Sequence, residues 1–224
     1  MPPSAAVESR TTIGPILVGI AGGTGSGKTT IAHAVARGLA PRRVAIVDAD
    51  AYYRDLGQLS MAERCRVNFD HPDALDAALM AAQMRALKKG RPIAKPQYDY
   101  KRHTRSVATT AVRPADVILL EGILIYALPE LAPLFDFKVF LDEWSDVRLI
   151  RRIERDLRVR GRTLADILRQ CGESVGPMFR AHVAPTRNLA DLVIAPGVTV
   201  ADAASEILTV LKVAFAHLDT HSSG

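Results

Sequence analysis

Gly22-Gly23-Thr24-Gly25-Ser26-Gly27-Lys28-Thr29 follows an apolar run, Ile16–Ala21, and precedes a helical pattern, Thr29–Leu39. The eight residues match G-x-x-x-x-G-K-[ST], and a strand before with a helix after is the context this pattern requires. The glycines let the backbone curl so that successive N–H groups point at phosphate oxygens. Lys28 reaches the β- and γ-phosphates, and the Thr29 hydroxyl is placed to ligate Mg²⁺. The helix that begins with Thr29 and Thr30 aims its positive end at the same anion. A Gly-rich turn with no ligand is the bland alternative, and the flanking elements count against it.

Outward from the loop, short apolar runs alternate with longer helical patterns. Arg43–Val47, Val117–Leu120, Phe137–Leu141 and Leu192–Ile194 read as strands. Helices are expected at Asp73–Lys89 (capped by Asp73 and ended by Gly90), Trp144–Val159, Leu164–Gln170 and Ala201–Phe215. Strands that are apolar throughout and alternate with helices imply an α/β fold, a parallel sheet covered on both faces. The stretch from Ile93 to Val112 breaks the rhythm and reads as an inserted hairpin or loop. One domain is expected over residues 13–216. Residues 1–12 and the tail from His217 are polar and expected to be disordered.

Composition bounds the rest. The chain has 224 residues, 48% hydrophobic and 24% charged, ordinary for a soluble globular domain. Two cysteines, Cys65 and Cys171, are too few for a disulfide framework or a four-ligand zinc site, and fit a reducing compartment. The net charge of +5 suits anionic ligands but is too small to argue for nucleic acid. The opening MPPSAAVESRTT has no cationic start followed by an apolar run, so no signal peptide is expected, and no uncharged apolar stretch is long enough to span a membrane. A cytoplasmic address with no membrane partner is expected.

In parallel sheets ligands bind beyond the carboxyl ends of the strands. Here those ends carry the glycine loop, Asp48-Ala49-Asp50 and Glu121-Gly122. Acids there can hold metal-bound water or accept a proton from an attacking hydroxyl. Taken singly, Asp50 or Glu121 has the lesser alternative of capping a helix or pairing with a lysine, and that alternative weakens for the three acids together. A cluster of arginines follows: Arg148, Arg151, Arg152, Arg155, Arg158, Arg160, Arg162 and Arg169. Arg148, Arg152 and Arg155 share one helical face, and Gly161 breaks the helix. A hinged, Arg-loaded segment over about residues 145–172 suits a lid that closes over phosphates. The duller alternative is a solvated face laced by Glu154, Asp156 and Asp166. Interleaved acids and the lack of aromatic residues there count against a nucleic-acid patch. The last constellation is Asn68-Phe69-Asp70-His71-Pro72-Asp73 with Tyr98-Asp99-Tyr100 and His103. Rings give a base-sized slot, a carboxylate can take two hydrogen bonds from a ribose diol, and a histidine can bond one edge of a base. Each of these residues alone is more often structural.

Together these segments resemble the uridine–cytidine kinase family. The resemblance rests on GGTGSGKTT, DAYYRDL (50–56), NFDHPDALD (68–76), PQYDYKRHTR (96–105), VILLEGIL (117–124), RRIERDLRVRGR (151–162), ILRQ (167–170) and PMFRAHVAPTRNLAD (177–191). It covers about residues 16–197. It implies a P-loop NTPase-type five-stranded parallel sheet with a β-hairpin that carries part of a nucleoside pocket, and commonly a homotetramer. It implies 5′-phosphorylation of uridine or cytidine, with ATP or GTP as donor and Mg²⁺ as cofactor. Asp50 would deprotonate the 5′-hydroxyl, and Thr29, Asp50 and Glu121 would organise Mg²⁺. Asp70 would grip the ribose hydroxyls, assisted by Arg152 or Gln170. Phe69, Tyr98 and Tyr100 would line the base pocket, with Tyr53 also against the substrate and His103 reading the pyrimidine edge. Arg155 and Arg160 would hold donor phosphates alongside Lys28, and Arg162 would lie between lid and nucleoside. The sequence departs from the family at Asp48, where His or Gln is frequent. It departs again at Cys171, where an aromatic is usual, and at Ala195-Pro196-Gly197, where Pro-Arg-Gly is usual. Phosphoribulokinase-like and pantothenate kinase-like enzymes are the nearest alternatives.

Overall fold

The computed structural model describes residues 14–221, with side chains as far as Val213. The stretch 1–12, expected to be disordered, lies outside the described residues. Five strands form a wholly parallel sheet: β1 (Ile16–Gly22), β2 (Val44–Asp48), β5 (Val117–Glu121), β6 (Phe137–Leu141) and β7 (Leu192–Ile194). Their order is β2-β5-β1-β6-β7, so the strand feeding the glycine loop is central. Side chains alternate across the sheet. Ile16, Val18 and Ile20 pack on one side with α1 (Lys28–Gly38) and α7 (Val200–His221). Leu17 and Ala21 pack on the other with Tyr52, Leu124 and α3 (Ala77–Lys88). Both faces are covered, which is why β1 and β5 are buried at every position.

The stretch 93–112 forms an antiparallel hairpin of β3 (Ile93–Asp99) and β4 (Thr104–Val112), a two-stranded sheet of its own. Polar anchors tie it to the body. Lys95 pairs with Asp48, and Arg105 reaches Asp76 at 3.2 Å and the Tyr52 carbonyl at 3.0 Å. The Thr104 hydroxyl donates to Asp55 at 2.8 Å. These anchors fix the turn residues Tyr100–His103 over the carboxyl edge of the sheet.

Three sequence expectations change. The helix expected from Asp73 starts only at Ala77, capped by Asp76, whose Oδ1 accepts from the Leu79 N–H at 3.1 Å. Residues Pro72–Ala74 make a separate 3₁₀ turn, and Leu75 is extended because it bridges Tyr53. The apolar spacing of Leu75 mimics a helical face, but its burial comes from strand-like pairing. Second, the helical path does not stop at Gln170. After α4 (Ser145–Arg158), the short α2 (Met61–Arg64) having come earlier in the chain, α5 (Leu164–Gln170) runs on through π turns at Cys171–Val175 and Phe179–Val183 around the one-turn α6 (Gly176–Met178). Third, α7 extends to His221, so the expected polar tail is helical as far as that residue. Trp144, the only tryptophan, precedes α4 and lies against Gly197, where an added Cβ would fall 2.8 Å from the indole.

Candidate active site

The glycine loop is shaped by what crowds it. Gly25 has φ +80°, and an added Cβ would lie 2.2 Å from the Arg148 carbonyl oxygen. At Gly22, φ +145°, it would lie 2.6 Å from that of Leu141. The loop is therefore pressed between the end of β6 and α4, where only glycine fits. Lys28 opens α1 and is buried, its Nζ donating to the Gly23 carbonyl at 3.0 Å. Burial pushes its ammonium pKa down, opposed by the charges of Glu121 and Asp50. The Ser26 hydroxyl is buried with no hydrogen-bond partner, a donor left over inside an anion loop. Thr24 accepts from Arg152 Nη1 at 3.4 Å. Thr29 Oγ1 donates to Glu121 Oε1 at 2.6 Å, and burial holds the Glu121 carboxyl above its usual range. Thr30 is exposed on α1 and does not line the cavity described below.

The three acids at the sheet edge do not share one role. Asp48 accepts from the Ala51 N–H at 3.0 Å and pairs with Lys95, so its charge is spent on the turn and the hairpin. Asp50 faces the cavity. Its Oδ2 accepts from the Tyr100 hydroxyl at 3.1 Å and from Arg160 Nη2 at 3.4 Å. Glu121 faces Lys28 and Thr29. A hydroxyl and two carboxylates are hard oxygen donors of the kind Mg²⁺ takes, and Mg²⁺ keeps several waters rather than needing an all-protein cage. Among the described residues no three His, Cys, Asp or Glu cluster tightly enough to make a metal site alone.

At the far end, Tyr53, Phe69, Tyr98, Tyr100 and His103 form one aromatic wall. Tyr53 meets Phe69 at 5.2 Å and Tyr98 at 5.1 Å, while His103 stacks on Phe69 at 5.7 Å and 26°. His103 has φ +49°, an uncommon backbone for a residue with a Cβ, which aims its ring inward from the hairpin turn. Burial, then Arg162, lowers the imidazole pKa, favouring the neutral ring. Asp70 sits beside this wall, its carboxyl held above the usual range chiefly by burial while Arg152 and Ser174 pull it back. The Ser174 hydroxyl donates to Asp70 Oδ2 at 3.1 Å.

Both ends open into one cavity of about 830 Å³. Lys28, Thr29, Asp50 and Glu121 line it with the aromatic wall, Asp70, Gln170 and the arginines 152, 155, 160 and 162. Gln170 Oε1 accepts from Arg152 at 3.1 Å and Arg162 at 2.9 Å. Arg160 lies over the Tyr100 ring at 4.3 Å. Two contributors escape the sequence reading. Ser174 lies on a π turn that no periodicity announces. Asp156, which enters the sequence reading only through the duller alternative of a solvated face, has a fully buried side chain. The clue available for Asp156 was its position among arginines one, four and six residues away.

An anion loop at one end, space for an acceptor at the other and basic side chains between them define a P-loop phosphotransferase, which draws its phosphate from a nucleotide. The sequence model described as the Phosphoribulokinase / Uridine kinase family matches residues 17–203, and the chain belongs to that family. The uridine kinase of Lactobacillus helveticus is 44% identical over 184 residues, 82% of this chain and 87% of that protein. The uridine kinase of Streptococcus uberis is 41% identical over 205 residues, 92% of this chain and 98% of that one. A solved kinase structure from Silicibacter sp. TM1040 shares the fold with TM-score 0.67 at 22% identity, covering 83% of this chain and 92% of that one. No helix among the described residues is long and apolar enough to cross a membrane.

Proposed function

We propose that this enzyme transfers the γ-phosphoryl group of ATP to the 5′-hydroxyl of uridine or cytidine. The observation that carries the reading is Asp50, which faces the shared cavity between the phosphate loop and the aromatic wall. The names of the relatives support the same substrate class. Five rings give a slot for a planar base, and Asp70, hydrogen-bonded by Ser174 and within the field of Arg152, suits the adjacent hydroxyls of a ribose. His103, held neutral, can donate from one nitrogen and accept at the other, which suits either pyrimidine.

Asp50 takes the proton of the 5′-hydroxyl as its oxygen bonds to the γ-phosphorus, and the bond from phosphorus to the β–γ bridging oxygen breaks, leaving ADP. Arg160 holds Asp50 at 3.4 Å and is released toward donor phosphate as the base engages. Lys28, Arg155 and Arg160 offset charge spread over the transferring group, and positioning supplies much of the remaining acceleration. Thr29, Asp50 and Glu121 would hold Mg²⁺, whose charge neutralises the donor phosphates when bound. The segment of α4, its turn and α5 acts as the lid.

The test is a coupled phosphotransfer assay with MgATP or MgGTP against uridine, cytidine, deoxyuridine, adenosine, ribulose 5-phosphate and pantothenate. Turnover of uridine or cytidine alone is expected, and the two donors are ranked in the same assay. Turnover of ribulose 5-phosphate or pantothenate with silence on both pyrimidines would discard the nucleoside pocket and keep the phosphate loop.

A further inference from the structure

Asp156 is a buried carboxylate that the phosphoryl-transfer chemistry does not use. Its side chain is fully buried and does not line the cavity, yet it meets four arginines that do. Arg155 Nε donates to its Oδ1 at 2.8 Å and Arg162 Nη1 to its Oδ2 at 3.1 Å. Arg160 Nε lies 3.7 Å from Oδ1 and Arg152 Nε 3.6 Å from Oδ2. The Asp156 carbonyl also accepts from the Arg162 N–H at 3.2 Å, closing the turn that follows α4. One anion thus sits behind four cations that all face the cavity.

We infer that Asp156 is a positioning residue for phosphoryl transfer, fixing the directions of Arg155 and Arg160 toward the donor phosphates and of Arg152 and Arg162 toward the acceptor. The physics is repulsion held in check. Four guanidinium groups this close drive one another apart, and each has several rotatable bonds with which to escape. A carboxylate with four lone-pair sites can hold several of them through charge-assisted bonds of defined direction. Arg160 shows the consequence most directly. Its Nε faces Asp156 while its Nη2 faces Asp50, so one planar group spans both carboxylates. Moving Asp156 would swing the far edge of that plane away from the reacting centre. A second chain of contacts leads from Asp156 through Arg162 and Arg152 to Gln170, and Ser174, on the turn after Gln170, holds Asp70. The inference rests on the proposed donor role of these arginines.

The test compares Asp156→Asn, which keeps shape and removes charge, with Asp156→Glu, which keeps charge and shifts it by one methylene. Thermal midpoint and circular dichroism establish the folded fraction. Donor affinity is read by calorimetry with a non-hydrolysable ATP analogue and Mg²⁺, with no acceptor present. For Asp156→Asn, analogue affinity is expected to fall about 10-fold and kcat about 100-fold at an unchanged folded fraction, the scale of a misplaced catalytic group. Asp156→Glu is expected to recover most of the analogue affinity and less of the rate. Retention of both quantities within about twofold in Asp156→Asn, or losses matching the loss of folded protein with KM unchanged, would overturn the inference. If Asp156→Asn does not fold, Asp156→Glu decides alone: a native midpoint with kcat about 10-fold down supports it, and native kcat refutes it. Because analogue binding needs no acceptor, an error in the pyrimidine assignment would show only in the turnover assay.

Discussion

Between Gly22 and Thr29, eight consecutive residues build the phosphate end of the cavity. The opposite end draws Tyr53 from the segment after β2, Phe69 and Asp70 from the connection before α3, Tyr98, Tyr100 and His103 from the hairpin, and Ser174 from a π turn. The first end is mostly backbone, forced into shape by glycines pressed against Arg148 and Leu141. The second is mostly side chains, brought together by ion pairs and hydrogen bonds that hold the hairpin to the body. An anion needs only N–H groups and charge, which a short local motif can supply. A nucleoside needs a shaped wall with a hydrogen-bonding edge, which takes pieces from distant parts of the chain. Substitutions at the two ends should therefore separate cleanly in kinetics.

The largest effect is expected where the ends meet. Asp50→Asn should lower kcat by about 10³-fold, the range for loss of a general base, with nucleoside affinity nearly unchanged. Near-normal turnover would remove Asp50 from its role. Next, Asp70→Asn should raise KM for uridine by about 10-fold or more and leave KM for ATP alone, because a ribose donor loses its charged acceptor. It should also erase most of the preference for uridine over deoxyuridine, and equal preference in the parent enzyme would break the ribose assignment.

The same variant carries a stability signature. The folded-state pKa of Asp70 lies above its unfolded value, so the folded state holds the proton more tightly. Stability from this site is present below the unfolded pKa of about 3.9 and is lost as pH rises through the raised folded value. Asp70→Asn should thus melt higher than the parent at pH 7, by a margin that shrinks to nothing near pH 4. Thermal melts across that range check the sign. Phe69→Ala should weaken nucleoside binding about 10-fold through loss of the surface against which His103 stacks, again sparing the donor. Smallest of all, Asp48→Asn should change kcat less than twofold and cost about 1 kcal/mol, since its half-exposed carboxylate anchors Lys95 and caps the turn at Ala51. A large loss of turnover there would mean that Asp48 belongs to the phosphate end after all.

How much of this was legible follows the same division. The loop, the five strands and the Arg-rich helix are local patterns, and all lie where the periodicity puts them. Leu75 keeps helical spacing while pairing as a strand with Tyr53, so spacing alone puts the start of α3 too early. Asp48 and Asp50 look alike in sequence, and only distant side chains separate them, Lys95 at Asp48 and Tyr100 and Arg160 at Asp50. Asp156 stands in the sequence only as a member of the duller, solvated-face alternative, because its meaning depends on a turn that folds Arg160 and Arg162 back over it. Ser174 had no signal, since π turns follow no apolar stripe.

Trp144 rests its ring on Gly197 at the foot of α4. As the only indole in the chain, and half exposed, it makes the protein its own optical reporter. Its emission senses the packing between the root of the arginine helix and the turn before α7. Any rotation of that helix over a bound donor will change the colour or brightness of a single, unlabelled fluorophore, in real time and with no substitution at all.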